Sequence, residues 1–230
     1  MTFPKYAANG GLASGFMSVR FTVAAPFAFS TYDYIIVFNT TGNGLTPLPN
    51  GGAQANYAAF SDAIIVSGNA GGAVQAVPVQ FVTTGGTNLP PVVYPLIGIP
   101  GQDLMFNANS NGLQTQFQVS FLRKIFSLYT ATASPSPTPT PTSTASPTPT
   151  PSAQSVWKIN CFVTSPGTSG QSFSNYTPVD SLGLGGGTDT SFNSPLLATT
   201  TQFDTTVNAA AQNAPTQSAV ITSCEFQNTP

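Results

Sequence analysis

Residues Thr132 to Ser152 read TASPSPTPTPTSTASPTPTPS, and no other stretch of this chain restricts the fold as strongly. Its prolines, at near-alternate positions, remove backbone donors and hold φ near −65°. A segment of this kind enters neither a helix interior nor a central sheet ladder. It is expected as extended polyproline II, about 3.1 Å per residue and roughly 60 Å if fully drawn out. Tracts of Pro, Thr and Ser are typical of secreted stalks and spacers, often O-glycosylated. Thr138, Thr140, Thr142, Thr148 and Thr150 are therefore candidate O-glycosylation sites.

On both sides of the tract the pattern is β. Met17, Val19, Phe21 and Val23 alternate with Ser18, Arg20 and Thr22, the period of a strand with one buried face. Tyr34 to Phe38 is a continuous apolar run, as expected of a strand buried on both faces. A turn cluster, Asn39 to Gly44, follows it. Phe60–Ser67, Ala73–Thr83 and Val92–Gly98 are further strand candidates, separated by Gly, Asn or Pro breaks. Phe117, Val119 and Phe121 alternate with Gln116, Gln118 and Ser120, giving one apolar and one amide face. After the tract, Val156–Thr164, Leu196–Val207 and Ala219–Phe226 read as strands, and Ser181–Gly187 as a Gly-rich turn. The best helix candidate, Val207–Gln212, is short, with Pro215 close behind.

The fold class expected is all-β: an antiparallel β-sandwich, jelly-roll or immunoglobulin-like, interrupted by a Pro/Thr-rich polyproline II insertion. Residues 1–131 and 153–230 then form one interrupted sandwich, and 132–152 an insertion or linker. Two separate β domains are the alternative. In the single-sandwich arrangement the strands beside the tract, Gln114–Tyr129 and Gln154–Thr164, could form one hairpin whose loop has been expanded. Such an expansion costs little, because closure entropy grows only with the logarithm of length.

Composition narrows the function. Charged residues make up 5% of the chain and histidine is absent, against roughly a quarter charged in an average soluble protein. Five cations cannot supply the basic stripe that neutralises a nucleic-acid backbone. A Ser-His-Asp triad, a His-ligated zinc and a His-ligated haem are excluded with the imidazole. No apolar run approaches the roughly 18 residues of a transmembrane helix. Met1 to Gly15 lacks the apolar core of a signal peptide, so the route of export is not legible.

Cys161 and Cys224 are expected to form one disulfide in an oxidising compartment; two buried thiols are the alternative. A loop of that length would stabilise the fold by roughly 4 kcal/mol. Asn39-Thr40-Thr41 and Asn175-Tyr176-Thr177 match the N-glycosylation sequon, making Asn39 and Asn175 candidate acceptors.

Asp33, Asp62, Asp103, Asp180, Asp189, Asp204 and Glu225 are dispersed, with no spacing that announces a catalytic pair. Asp180, Asp189, Asn193 and the carbonyls of Gly185–Gly187 offer oxygens for calcium but match no EF-hand loop, and turn aspartates explain them as well. No metal, no cofactor and no enzymatic activity are expected. Tyr32, Tyr34, Tyr57, Tyr94 and Tyr176 are the better candidates for stacking on sugars, because a tyrosine keeps a polar tip in water.

Two stretches carry a resemblance. Tyr32 to Asn43 resembles the Tyr-rich opening strand of uncharacterised secreted β-sandwich surface proteins and lipoproteins of environmental bacteria. Val179 to Gly185, followed by Ile221 to Asn228, resembles their closing part. Pro/Thr tracts accompany those proteins too, although here the tract lies inside the chain. The resemblance implies a secreted surface sandwich and brings no catalytic motif.

The function expected is a non-catalytic extracellular or cell-surface structural protein, a filament-forming or adhesive β subunit. A charge-poor surface repels its copies weakly, and unguarded sheet edges pair with other chains. The strand of Met17, Val19, Phe21 and Val23, behind a Gly/Ala-rich arm, is the candidate assembly strand, and a homopolymer the expected partner. The alternative is a polysaccharide-binding module using tyrosines and amides.

Overall fold

A computed structural model describes residues 12, 14–48, 57–68, 73–82, 91–96, 103–107, 114–127, 156–167, 178–182, 192–195, 200–204 and 215–229. It is nearly all antiparallel β, in two sheets. The strands are β1 (Phe16–Val23), β2 (Asp33–Asn39), β3 (Asp62–Gly68), β4 (Val74–Val82), β5 (Val92–Pro95) and β6 (Leu104–Asn107). They continue as β7 (Gln116–Leu122), β8 (Val156–Thr164), β9 (Pro178–Ser181), β10 (Phe192–Pro195), β11 (Thr200–Asp204) and β12 (Ile221–Asn228). One helical turn, α1 (Lys124–Ser127), follows β7.

The first sheet has the order β11-β12-β1-β7-β6 and the second β10-β8-β2-β3-β4-β5, with β9 also on β8. The strands that follow the tract lie together at one side of each sheet. They meet the strands that precede it along two seams. β1 pairs with β12 from Met17–Asn228 to Val23–Ile221, and β2 with β8 from Asp33–Thr164 to Asn39–Lys158. Both sheets are thus composite.

Alternation explains the layers. In β1, Met17, Val19, Phe21 and Val23 are buried in the main core, while Arg20 and Thr22 are half-buried on the other face. Every residue of β2 is buried. Tyr34, Ile36 and Phe38 join the main core between the sheets. Ile35 and Val37 join a second cluster with Tyr57, Phe60, Phe81 and Phe162. The second sheet is therefore covered on both faces, as the continuous apolar run required. Part of that cover is the segment after β2: Asn160 Nδ2 donates to Pro47 O at 2.8 Å and to Leu182 O at 3.0 Å.

Three expectations need correction. β7 and β8, the strands nearest the tract, lie in different sheets and form no hairpin. β1 is not an assembly edge. It is bonded on both sides, to β12 and to β7, because its apolar face is needed at the centre of the core. Cys161 and Cys224 are thiols with no disulfide, both buried in the main core, on β8 and β12. The helix candidate Val207–Gln212 and the tract lie outside the described residues.

Candidate functional site

The described residues that flank the tract in sequence meet at a single pole. The last described residues before it belong to α1, and the first after it to β8. Phe126 of α1 and Trp157 of β8 are both buried, with ring centroids 6.1 Å apart. Phe38 of β2 meets both, at 4.9 Å and 6.3 Å, and Phe121 of β7 closes the group at 5.5 Å from Phe126. Aromatic pairs at these separations add roughly 0.5–1.5 kcal/mol each beyond area burial. Three strands from the two sheets, with α1, thus bring together the described residues on either side of 128–155. Lys124 tethers the same corner through an ion pair to Asp103, 3.2 Å long.

A second feature is the outer face of the first sheet. Alternation turns Ser18, Arg20 and Thr22 of β1 away from the core beside Gln116, Gln118 and Ser120 of β7 and Ser223, Glu225 and Gln227 of β12, with Ser18 and Ser120 themselves buried. Gln118 Nε2 donates to Ser18 Oγ at 2.9 Å and Ser120 Oγ at 3.2 Å, and the two hydroxyls lie 2.9 Å apart. Gln116 Nε2 donates to Thr22 Oγ1 at 3.2 Å, and Arg20 donates to Glu225 at 2.9 Å. The amide face expected on β7 therefore continues as a cross-strand ladder of neutral hydrogen-bonding groups with one ion pair.

Six of the seven carboxylates belong to described residues. Three are buried and structural. Asp180, on β9, accepts from Ser181 N at 2.9 Å and Ile221 N at 2.7 Å, tying the second sheet to the start of β12. Burial raises its pKa to about 6 against those two hydrogen bonds. Its oxygens are engaged with the backbone; Asp189 and the Gly185–Gly187 carbonyls lie outside the described residues. Asp62, at the start of β3, accepts from Thr40 Oγ1 at 2.8 Å, and its Oδ1 is buried without a hydrogen-bond partner. Burial likewise raises its pKa to about 6, opposed by Thr40 and Ser61. Asp33 accepts from Gly167 N at 2.8 Å, and burial pushes its pKa upward. Among the described residues no three His, Cys, Asp or Glu side chains are grouped to hold a metal.

The sequon at Asn39 is not a surface acceptor. Asn39 is 1% exposed, and its Nδ2 donates to Asn43 Oδ1 and Leu45 O, each at 2.6 Å. Its Oδ1 accepts from Thr41 N and Oγ1, so the side chain is the pin of its own turn. Gly42 and Gly44 supply the positive φ that turn needs, +74° and +76°. Asn175 and Thr138, Thr140, Thr142, Thr148 and Thr150 lie outside the described residues. Of the tyrosines offered for sugar stacking, Tyr32, Tyr34 and Tyr57 are buried, and Tyr176 lies outside the described residues. Tyr94, on β5, is 46% exposed. The anchoring pole, Phe38–Phe121–Phe126–Trp157, was missed. Its only sequence signal was an aromatic residue close to each end of the tract.

Comparison with protein families, with curated proteins and with solved structures finds no match to this chain.

Proposed function

We propose that this chain is a non-catalytic extracellular structural or adhesive protein. In this reading a jelly-roll- or immunoglobulin-like sandwich displays its Pro/Ser/Thr tract, as polyproline II, from one pole. The observation that carries it is the Phe126–Trp157 contact. A spacer between two separately folded domains of one chain leaves its flanks in separate cores, whereas Phe126 and Trp157 share one aromatic cluster, as an insertion in a single sandwich requires. Doubled back on itself, residues 128–155 would reach roughly 40 Å at about 3.1 Å per residue. The charge-poor composition and the tract support a cell-surface or extracellular location and self-association. The cysteines, as thiols, add nothing to the case for an oxidising compartment.

Replacing residues 132–152 by a short Gly/Ser loop tests the reading. The variant should keep its cooperative melt and lose retention on native cells or polymer. Undiminished retention would remove the tract from the function. Intact mass of native material would show whether the tract threonines carry glycan.

A second reading, polysaccharide binding, is favoured by the ladder on β1, β7 and β12. Neutral amides and hydroxyls in register suit an uncharged polyol better than a charged ligand. A glycan array with the wild type and a Gln118→Ala/Arg20→Ala variant separates the two readings. Binding that this variant loses would favour it, and no binding at millimolar sugar would remove it.

A further inference from the structure

The plane between the two seams is also the plane between the chain's two halves. Without β8 and β12, the half before the tract would hold β6-β7-β1 in one sheet and β5-β4-β3-β2 in the other. β1 and β2 would become open edges. At eight and seven residues neither is short, neither contains proline, and the one outward charge, Arg20 of β1, is matched by Glu225 of β12. β2 is buried along its whole length, and β1 places Met17, Val19, Phe21 and Val23 in the core. Among the described residues the outermost strands are short: β5, β6, β9 and β10 have four residues each and β11 five, and β5 ends in Pro95. The surfaces competent for strand pairing are thus inside the molecule, along the seams.

We infer that copies of this chain associate by exchanging halves, β8–β12 of one copy completing both sheets of another. This deepens the proposed function and rests on its self-association. The partner is a second copy because the seam chemistry is already written in the chain. The bonds that fix this arrangement include the Arg20–Glu225 ion pair, the Asp33 bond to Gly167 N and, inside the second half, the Asp180 bond to Ile221 N. Of these, Arg20–Glu225 and Asp33–Gly167 cross from one half to the other, and exchange reproduces them unchanged.

Closed and exchanged forms therefore differ only in the connection. Its 28 residues, 128 to 155 by number, join rings 6.1 Å apart, a span that a few residues would cover. A long tether lowers the effective concentration of its own second half to the millimolar range or below. Seven prolines stiffen the chain against folding back on itself. At the local concentrations of a crowded surface a neighbour's half competes on nearly equal terms.

A protease recognition sequence placed between Thr144 and Ala145 supplies the test. The full chain is refolded at about micromolar and about millimolar concentration, sized, then cut. In an exchanged assembly the tracts are the only covalent links between sandwiches. Cutting should collapse the dimer or polymer formed at high concentration to folded, monomer-sized particles containing both fragments, a halving of mass for the dimer. Assemblies that keep their size after complete cutting would overturn the exchange while leaving self-association standing. A monomer at every concentration would overturn both.

Discussion

Tyr34 shows how much one side chain organises here. Its ring meets Phe21, Phe27, Phe29 and Phe117 edge-on at 5.8, 4.8, 5.4 and 6.3 Å. Its Oη donates to Ser218 O and accepts from Ala28 N, both at 3.0 Å, and burial pushes its pKa upward. Tyr34→Phe keeps the packing and strands both backbone partners, so chemical denaturation should show a loss of about 1–3 kcal/mol. The buried carboxyls give a second residue-scale expectation. Asp62 and Asp180 hold a proton more tightly folded than unfolded, each with a pKa near 6 against an ordinary value near 4. Their contribution is full below about pH 4 and is lost as pH rises through about 6, on the order of 2 kcal/mol per group. Melting temperature should therefore fall between about pH 4 and about pH 6, and Asp62→Asn should flatten that slope. With both cysteines as thiols, adding reductant should leave the melt unchanged.

At the scale of elements, β1 is the strand whose role changed most. Its alternation marks a half-buried strand in either an edge or a centre, because a one-sided pattern says which face is buried and nothing about neighbours. The structure gives it two neighbours. Phe21 lies 5.1 Å from Phe117 in a stacked pair. Phe21→Ala should cost roughly 3–5 kcal/mol of stability, read by denaturant titration, as a core deletion. An edge residue would cost far less. Gly68, at the end of β3, is a close-approach glycine: a Cβ there would lie 2.9 Å from Phe29 O, whose carbonyl also accepts from Gly68 N. Gly68→Ala should lower the melting temperature by several degrees, from a strain of about 1–3 kcal/mol.

At the scale of the molecule, the tract is an interruption that both sheets ignore. A fold assembled across so long a connection draws its stability from the two seams and the core between them. Fragments 1–131 and 153–230, produced separately, should each lack a cooperative melt and regain one when mixed. Two independent melts would show that each half folds alone.

Much of this was legible in local pattern. Val156–Thr164 is a strand with the bounds its composition suggested, and Tyr34–Phe38 is buried on both faces as an unbroken apolar run implies. Short elements escaped. β6, β9 and β10 have four residues each, too few for a period to declare itself. Asn39 looked exposed because sequons and turns usually are; its burial comes from Asn43, Leu45 and Thr41 folding over it. By itself the amino-acid order determined the β class, the buried face of each long strand and the place of the interruption, since these follow from side-chain alternation and proline geometry. Only the tertiary structure decided which edges meet, that β1 is central, that the cysteines stay thiols and that Phe126 and Trp157, on either side of the tract in sequence, share one aromatic cluster. Those outcomes depend on contacts between residues far apart in sequence, more than two hundred positions for Arg20 with Glu225, and no local period encodes them.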